Sequence, residues 1–270
     1  MKGRVLSIAG SDSGGGAGIQ ADIKTITALG GYAMTAITAL TAQDTRGVHA
    51  VMAVPPDFVR SQIRLVLADL GADAVKTGML GDAATVEAVC DVLQTHPGLP
   101  VVVDPVMRAK GGQALLDPEA MVVLKRRLLP LALLITPNIP EAELLGGMVI
   151  ASEAAMAAAA LALLTLGVPA VLLKGGHLPG AEVVDLLATE DGIIEFRRPR
   201  IVTAHTHGTG CTLSSAIATG LAQGMELTAA VARARAYVQA AIAAAPGFGA
   251  GHGPLNHAVT IDPHRIARLE

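Results

Sequence analysis

The sequence predicts an α/β fold with a mostly parallel central sheet covered by helices on both faces. Three observations carry this prediction. Short β-branched runs alternate with longer helical patterns over most of the chain. The runs are continuously apolar rather than alternating, as strands buried on both faces must be. Polar residues gather immediately after those runs, where parallel sheets place their ligand-binding positions.

The elements are predicted in order. Val5–Ala9 reads as a strand, followed by a helix over about Ala17–Leu29 and a strand over Ala33–Leu40. Pro56–Leu70 reads as a helix, with proline suited to its first turn. Strand Ala74–Lys76, helix Ala83–Leu93, strand Pro100–Asp104, helix Pro118–Leu128 and strand Leu133–Thr136 continue the βα repeat. A helix over Glu153–Leu166 and a strand over Ala170–Lys174 follow. The runs Val183–Ala188 and Gly192–Phe196 are close enough for a hairpin, and two helices, Thr209–Leu221 and Leu227–Ala245, complete the pattern. The alanine-rich tract Ala154–Ala162 is low in complexity but high in helix propensity. We expect a single domain over residues 1–270, since alternating α/β folds of this size are often one unit.

Composition narrows the function. The chain is 51% hydrophobic and 16% charged, with 2% aromatics, no Trp and a net charge of -3. The core is therefore aliphatic. Without a basic run or aromatic platforms there is no footprint for nucleic acid. Cys90 and Cys211 are the only cysteines, and an aliphatic domain of this size does not need a disulfide, so a reducing, cytoplasmic location is expected. The start, Met1-Lys2-Gly3-Arg4, is basic, but the apolar run Val5–Gly10 is too short for a signal segment. The apolar stretch Ala154–Leu173 is broken by Gly167 and Pro169, so no membrane span is expected.

The chemistry concentrates in a few segments. His207-Gly208-Thr209-Gly210-Cys211-Thr212 is a glycine-bracketed turn that opens a helix with a cysteine in its first turn. Unpaired N–H groups and the positive end of the helix dipole converge there, which is how phosphate is held without lysines. The same field is expected to lower the Cys211 pKa and suit it to accept a proton. An ordinary capped helix with an inert cysteine is the competing reading of this turn. Gly14-Gly15-Gly16-Ala17-Gly18 lacks the phasing and the downstream acid of a dinucleotide fingerprint, and reads as a mobile loop over a small substrate. Asp22 and Lys24, in the next helix, read as a solvated face. Lys174 ends a buried strand, where an uncompensated ammonium is costly and a phosphate is a natural partner. Asn138 and Glu141 lie three residues apart after a strand, placed either to meet magnesium and its waters beside phosphates or to cap a helix. Gln43 follows a strand with one acceptor and two donors in a plane, a shape that suits the edge of an aminopyrimidine or pyridine ring.

Taken in order, Ile8–Asp12 with Gly15–Asp22, Thr38–Gln43, Lys76–Leu80, Asp104–Met107, Thr136–Asn138, Lys174–His177 and Thr206–Thr212 resemble the hydroxymethylpyrimidine and phosphomethylpyrimidine kinases of thiamine biosynthesis. The resemblance runs nearly end to end. It implies a three-layer αβα ribokinase-like fold, and phosphorylation of 4-amino-5-hydroxymethyl-2-methylpyrimidine, then of its monophosphate, with ATP and Mg2+. It implies that Gln43 recognises the pyrimidine and that Gly10, Ala17, Met79 and Val106 line its pocket. Cys211 then stands where ribokinases carry an aspartate base, and Gly208, Thr209, Gly210 and Lys174 serve the phosphates, with magnesium near Asn138 and Glu141. A homodimer is implied as well. Two positions depart from the family pattern: His205 replaces an asparagine, and Arg108 follows Met107 where a small apolar residue is usual, with solvent its expected environment. The alternatives are a pyridoxine or pyridoxal kinase, a non-catalytic pyrimidine-binding regulator, and a cysteine hydrolase pairing Cys211 with His207.

Overall fold

A computed structural model describes residues 1–107, 112 and 115–262. Arg108, singled out above, lies outside the described residues. Nine strands form one sheet in the order β3-β2-β1-β4-β5-β6-β7-β8-β9 among the described residues. The strands are β1 Arg4–Asp12, β2 Tyr32–Gln43, β3 Val48–Ala53, β4 Ala74–Thr77, β5 Val101–Val103, β6 Leu134–Ile135, β7 Val171–Lys174, β8 Glu182–Thr189 and β9 Gly192–Pro199. From β2 through β7 every neighbouring pair is parallel. The edges, β3 on one side and the β8–β9 hairpin on the other, are antiparallel.

The helices are α1 Gly18–Ala28, α2 Pro56–Asp69, α3 Ala83–Leu93, α4 Pro118–Val123, α5 Ile139–Gly146, α6 Glu153–Leu164, α7 Thr209–Ala222 and α8 Leu227–Ala243. Alternate strand residues divide between two cores. Leu6, Ile8, Val101, Val103, Val171 and Leu173 pack beneath α2 to α6. Val5, Val102 and Leu172 pack beneath α1, α7 and α8. Each fully buried aliphatic side chain of this kind contributes about 1.5–3 kcal/mol, so both faces of the sheet are needed to hold the layers. This is the three-layer αβα architecture expected above. No helix among the described residues is long and apolar enough to cross a membrane.

Local capping explains several boundaries. Asp82, Asp117 and Ser152 accept the N–H of Thr85, Ala120 and Ala155 at the starts of α3, α4 and α6. The predicted helix Pro118–Leu128 is regular only to Val123. A wide turn over Leu124–Leu128 and a tight one over Leu129–Leu131 follow. Pro130 has no N–H to give and its ring crowds the carbonyl four residues back, which is a physical reason for the changed winding.

Strand β3 was not expected. Its residues are exposed or half-buried, because it pairs with the part of β2 that projects past the helical layers. With no buried face it has no apolar period to read. The signal was in the turn: the Asp44 carboxylate accepts the N–H groups of Arg46 at 2.8 Å and Gly47 at 3.1 Å, closing a hairpin. β2 consequently runs past the predicted end at Leu40, and Gln43 ends the strand.

Candidate active site

The carboxyl ends of the parallel strands open into one cavity of about 740 Å³. The residues selected from the sequence all line it, from Gly10, Ala17, Gln43, Met79 and Val106 at one end to Asn138, Glu141 and Lys174 at the other, with Gly208–Cys211 also in its wall. The fold therefore brings the end of β2 and the N-terminus of α7 into the same space.

At the first end, β1 ends in Asp12, which is buried. Its carboxylate accepts the N–H of Gly14 at 2.8 Å, Gly16 at 3.0 Å and Ala17 at 2.8 Å. Burial works to raise the Asp12 pKa, but the bonds from His207 and these amides outweigh it and hold the carboxyl below its usual range. The glycine loop read from sequence as mobile is thus fastened to a buried anion. Gln43 lies beside His207, with Gln43 Nε2 at 3.0 Å from His207 Nε2, and His207 Nε2 is also 2.9 Å from Asp12 Oδ2. Met79 is held from behind, its carbonyl accepting the Thr38 hydroxyl at 2.6 Å.

Gly208 caps α7 with φ +77, a conformation open to glycine, and a Cβ there would collide with the Gly16 carbonyl. The turn before α7 and the glycine loop before α1 are therefore packed backbone to backbone. Cys211 follows in the first turn, half-buried, where the Gly18 N–H favours its thiolate form. The expectation of a depressed thiol pKa is corrected. Burial pushes Cys211 up to about 11; Lys76 and the Gly18 N–H pull it down, but Asp22 and Asp104 add to the rise. Desolvation of the sulfur outweighs the pull of the helix N-terminus.

Directly tied to that electrostatic balance is a pair that the sequence reading missed. Asp22, expected on a solvated face, has 0% of its surface exposed, as has Lys76. Lys76 Nζ meets the Asp22 carboxylate at 2.9 and 3.0 Å, and the hydroxyls of Ser7 and Ser215 donate to the same carboxylate at 2.5 and 2.6 Å. Lys24 does face outward and donates to the Gly15 carbonyl at 2.8 Å.

At the other end Lys174 Nζ contacts Asp104 Oδ1 at 3.0 Å and lies 4.0 Å from Glu141 Oε2. The lysine is thus not uncompensated, as the sequence reading supposed. Burial tends to lower the Lys174 pKa, but Asp104 and Glu141 outweigh it and raise it. Burial pushes Glu141 upward, and the nearby Asp104 adds to that against the pull of Lys174. Asn138 and Glu141 form a reciprocal cap on α5: Glu141 N–H donates to Asn138 Oδ1 at 2.9 Å and Asn138 N–H to Glu141 Oε2 at 2.8 Å. Of the two readings left open by the sequence, the capped helix start is realised. Two carboxylates crowding one ammonium are also an oxygen-rich, anionic set that fits a hard divalent cation.

The cavity also runs toward β8, β9 and α8. There Arg235 Nε donates to Asp185 Oδ2 at 2.7 Å, and Asp185 Oδ1 accepts the Gly175 N–H at 2.9 Å, so the turn after Lys174 is braced from the helix layer. Asp12 and Asp104 are among the polar residues that the sequence places immediately after strands, although it assigned neither a role; Asp185, inside the predicted run Val183–Ala188, was passed over. For the hydrolase alternative, Asp12 does supply an acid beside His207, but His207 Nε2 meets Asp12 and Gln43 rather than the Cys211 sulfur.

Known proteins share this arrangement end to end. Residues 12–256 match the phosphomethylpyrimidine kinase family model. The thiamine biosynthesis bifunctional protein ThiED of Geobacter sulfurreducens is 54% identical over 264 residues, covering 98% of this chain but 54% of that protein. The chain thus spans about half of that two-function relative. The hydroxymethylpyrimidine/phosphomethylpyrimidine kinase of Rhizobium meliloti is 52% identical, with 93% of this chain and 96% of that protein covered. Among solved structures, the Bacillus subtilis pyridoxal kinase in its ADP complex superposes with a TM-score of 0.89 at 35% identity over 100% of both chains. The phosphomethylpyrimidine kinase of Clostridium difficile gives 0.79 at 44% identity, covering 88% of this chain and 98% of that one. The chain therefore belongs to the phosphomethylpyrimidine kinase family, a family of phosphotransferases.

Proposed function

We propose that the chain transfers the terminal phosphoryl group of ATP to the 5-hydroxymethyl group of 4-amino-5-hydroxymethyl-2-methylpyrimidine, and then to the resulting monophosphate. The observation that carries this reading is the meeting of Gln43 and the α7 N-terminus across one cavity. Gln43 offers the planar donor and acceptor set of an aminopyrimidine edge, and Gly10, Ala17, Met79 and Val106 give the ring apolar walls. Gly208, Thr209 and Gly210 line the same cavity at the N-terminus of α7, where helix-end N–H groups would stabilise charge developing on the transferring group. Lys174 supplies a fixed positive charge beside it.

Phosphoryl transfer passes through a loose transition state, so alignment and charge stabilisation matter more than early deprotonation of the alcohol. Cys211 takes the alcohol proton late. A thiol at about 11 leaves on the order of 10⁻³ to 10⁻⁴ as thiolate at neutral pH, so Lys76 and the Gly18 N–H, both favouring the thiolate, are part of the working site. Magnesium fits the anionic set of Glu141 and Asp104, with the Asn138 amide at its margin. It would neutralise charge on the nucleotide phosphates. One kinase unit over residues 1–270, acting in the reducing cytoplasm, agrees with the single sheet and two free cysteines. We also propose a homodimer; light scattering at micromolar concentration tests it, and a monomer refutes it.

Incubating the protein with ATP, magnesium and hydroxymethylpyrimidine yields the mono- and then the diphosphate by phosphorus NMR. No turnover of either acceptor by folded protein refutes the assignment. The likeness to pyridoxal kinase favours one second reading, that pyridoxal is the better acceptor. Comparing kcat/KM for the two rings decides between them.

A further inference from the structure

We infer that His207 is a positioning residue that couples the ring-reading amide of Gln43 to the glycine loop held by Asp12. The inference rests on the proposed reading of Gln43 and goes beyond it, because it gives a role to an imidazole that neither phosphate nor proton transfer uses. His207 Nε2 lies 3.0 Å from Gln43 Nε2 and 2.9 Å from Asp12 Oδ2. One imidazole nitrogen cannot serve both at once. To donate to Asp12 it must carry the proton, and to accept from the Gln43 amide it must present its lone pair.

The conflict matters because of what each partner holds. Gln43 ends β2 and lines the cavity. The Asp12 carboxylate holds the amides of Gly14, Gly16 and Ala17, and Gly16 is packed against both the His207 ring and Gly208. A ring that engages the Gln43 amide removes the competition for His207 Nε2. The imidazole then donates to Asp12 alone, strengthening the bond that backs the loop. Occupancy of the ring pocket is thereby transmitted to Gly14–Ala17 through a single nitrogen, with no movement of strand or helix required.

A double-variant cycle on steady-state kinetics tests this. His207→Ala raises KM for the pyrimidine about tenfold and leaves KM for ATP within about twofold. His207→Gln, which keeps a donor and an acceptor on a side chain of similar reach, recovers most of the loss. In a Gln43→Ala background, His207→Ala adds less than about threefold, since the partner it acts through is gone. Equal effects in both backgrounds, or an equal rise in KM for ATP, overturn the inference. If Gln43→Ala itself leaves pyrimidine KM unchanged, the recognition reading fails and takes the inference with it. A second measurement needs no variant: hydrogen exchange of the Gly14, Gly16 and Ala17 amides slows when pyrimidine is added without ATP. Unchanged exchange at saturating pyrimidine overturns the coupling.

Discussion

Replacing Asp22 with asparagine leaves the side-chain volume nearly unchanged and removes one charge from the floor of the site. The carboxylate accepts two contacts from Lys76 and one each from Ser7 and Ser215, and all four residues have 0% exposure. An asparagine leaves the Lys76 ammonium without a counter-charge and turns an NH2 group toward at least one of the donors. Breaking one partner of a buried pair costs about 3–5 kcal/mol. Unfolding entropy of about 2.1 cal/mol/K per residue gives about 0.6 kcal/mol/K for 270 residues, so the melting temperature of Asp22→Asn falls by about 5–9 °C. Differential scanning calorimetry reads this directly. Adding Lys76→Met to Asp22→Asn removes the stranded charge and brings the melting temperature back toward the parent protein. A single variant melting within about 2 °C of the parent refutes the argument, because the pair would then not be desolvated.

Carbamidomethylation of Cys211 by iodoacetamide is slow at pH 7.5 and rises about tenfold per pH unit toward 10, since burial holds the thiol up to about 11; a rate flat from pH 7 to 9 by peptide mass spectrometry refutes that balance. Gly208→Ala places a methyl against the Gly16 carbonyl from a φ of +77, and kcat falls about a hundredfold or more as the α7 amides shift; an unchanged kcat excludes those amides from catalysis. His257 is buried with its Nε2 at 2.9 Å from the Thr212 hydroxyl, and burial pushes its pKa down from 6.5 to about 4. The unfolded chain therefore binds the proton first: this contribution to stability is complete above pH 6.5 and is lost as pH falls from 6.5 toward 4. Melting curves from pH 7.5 to 4.5 fall less steeply for His257→Gln, and parallel curves refute the assignment.

Much of the architecture was legible because it depends on local pattern. The continuous runs at Val5–Ala9 and Ala170–Lys174 mark β1 and β7, since a parallel strand under two helical layers leaves neither face polar. Positions at strand ends are also read from order alone, which is why Gln43 and Lys174 could be selected, while Gly208–Cys211 was legible as a glycine-bracketed turn opening a helix. Strand β3 escaped because an edge outside the layers buries nothing and so imposes no period. Asp22 escaped for the opposite reason: a lone carboxylate on an amphipathic helix looks solvated until the strand supplying Lys76 is placed beneath it. The Cys211 pKa was misjudged because a helix dipole is a sequence-local feature, whereas desolvation is set by everything packed around the sulfur.

By itself, then, the chain determined its layered α/β architecture, its family motifs and the set of residues at the strand ends, because apolar period and turn chemistry act over a few neighbours. Only the tertiary structure decided that Asp22 and Lys76 form a sealed pair, that Asp104 compensates Lys174, and that one nitrogen of His207 stands between Gln43 and Asp12. Charge and hydrogen bonding depend on distance and on exclusion of water, and those exist only once segments 54 to 195 residues apart have been brought into contact.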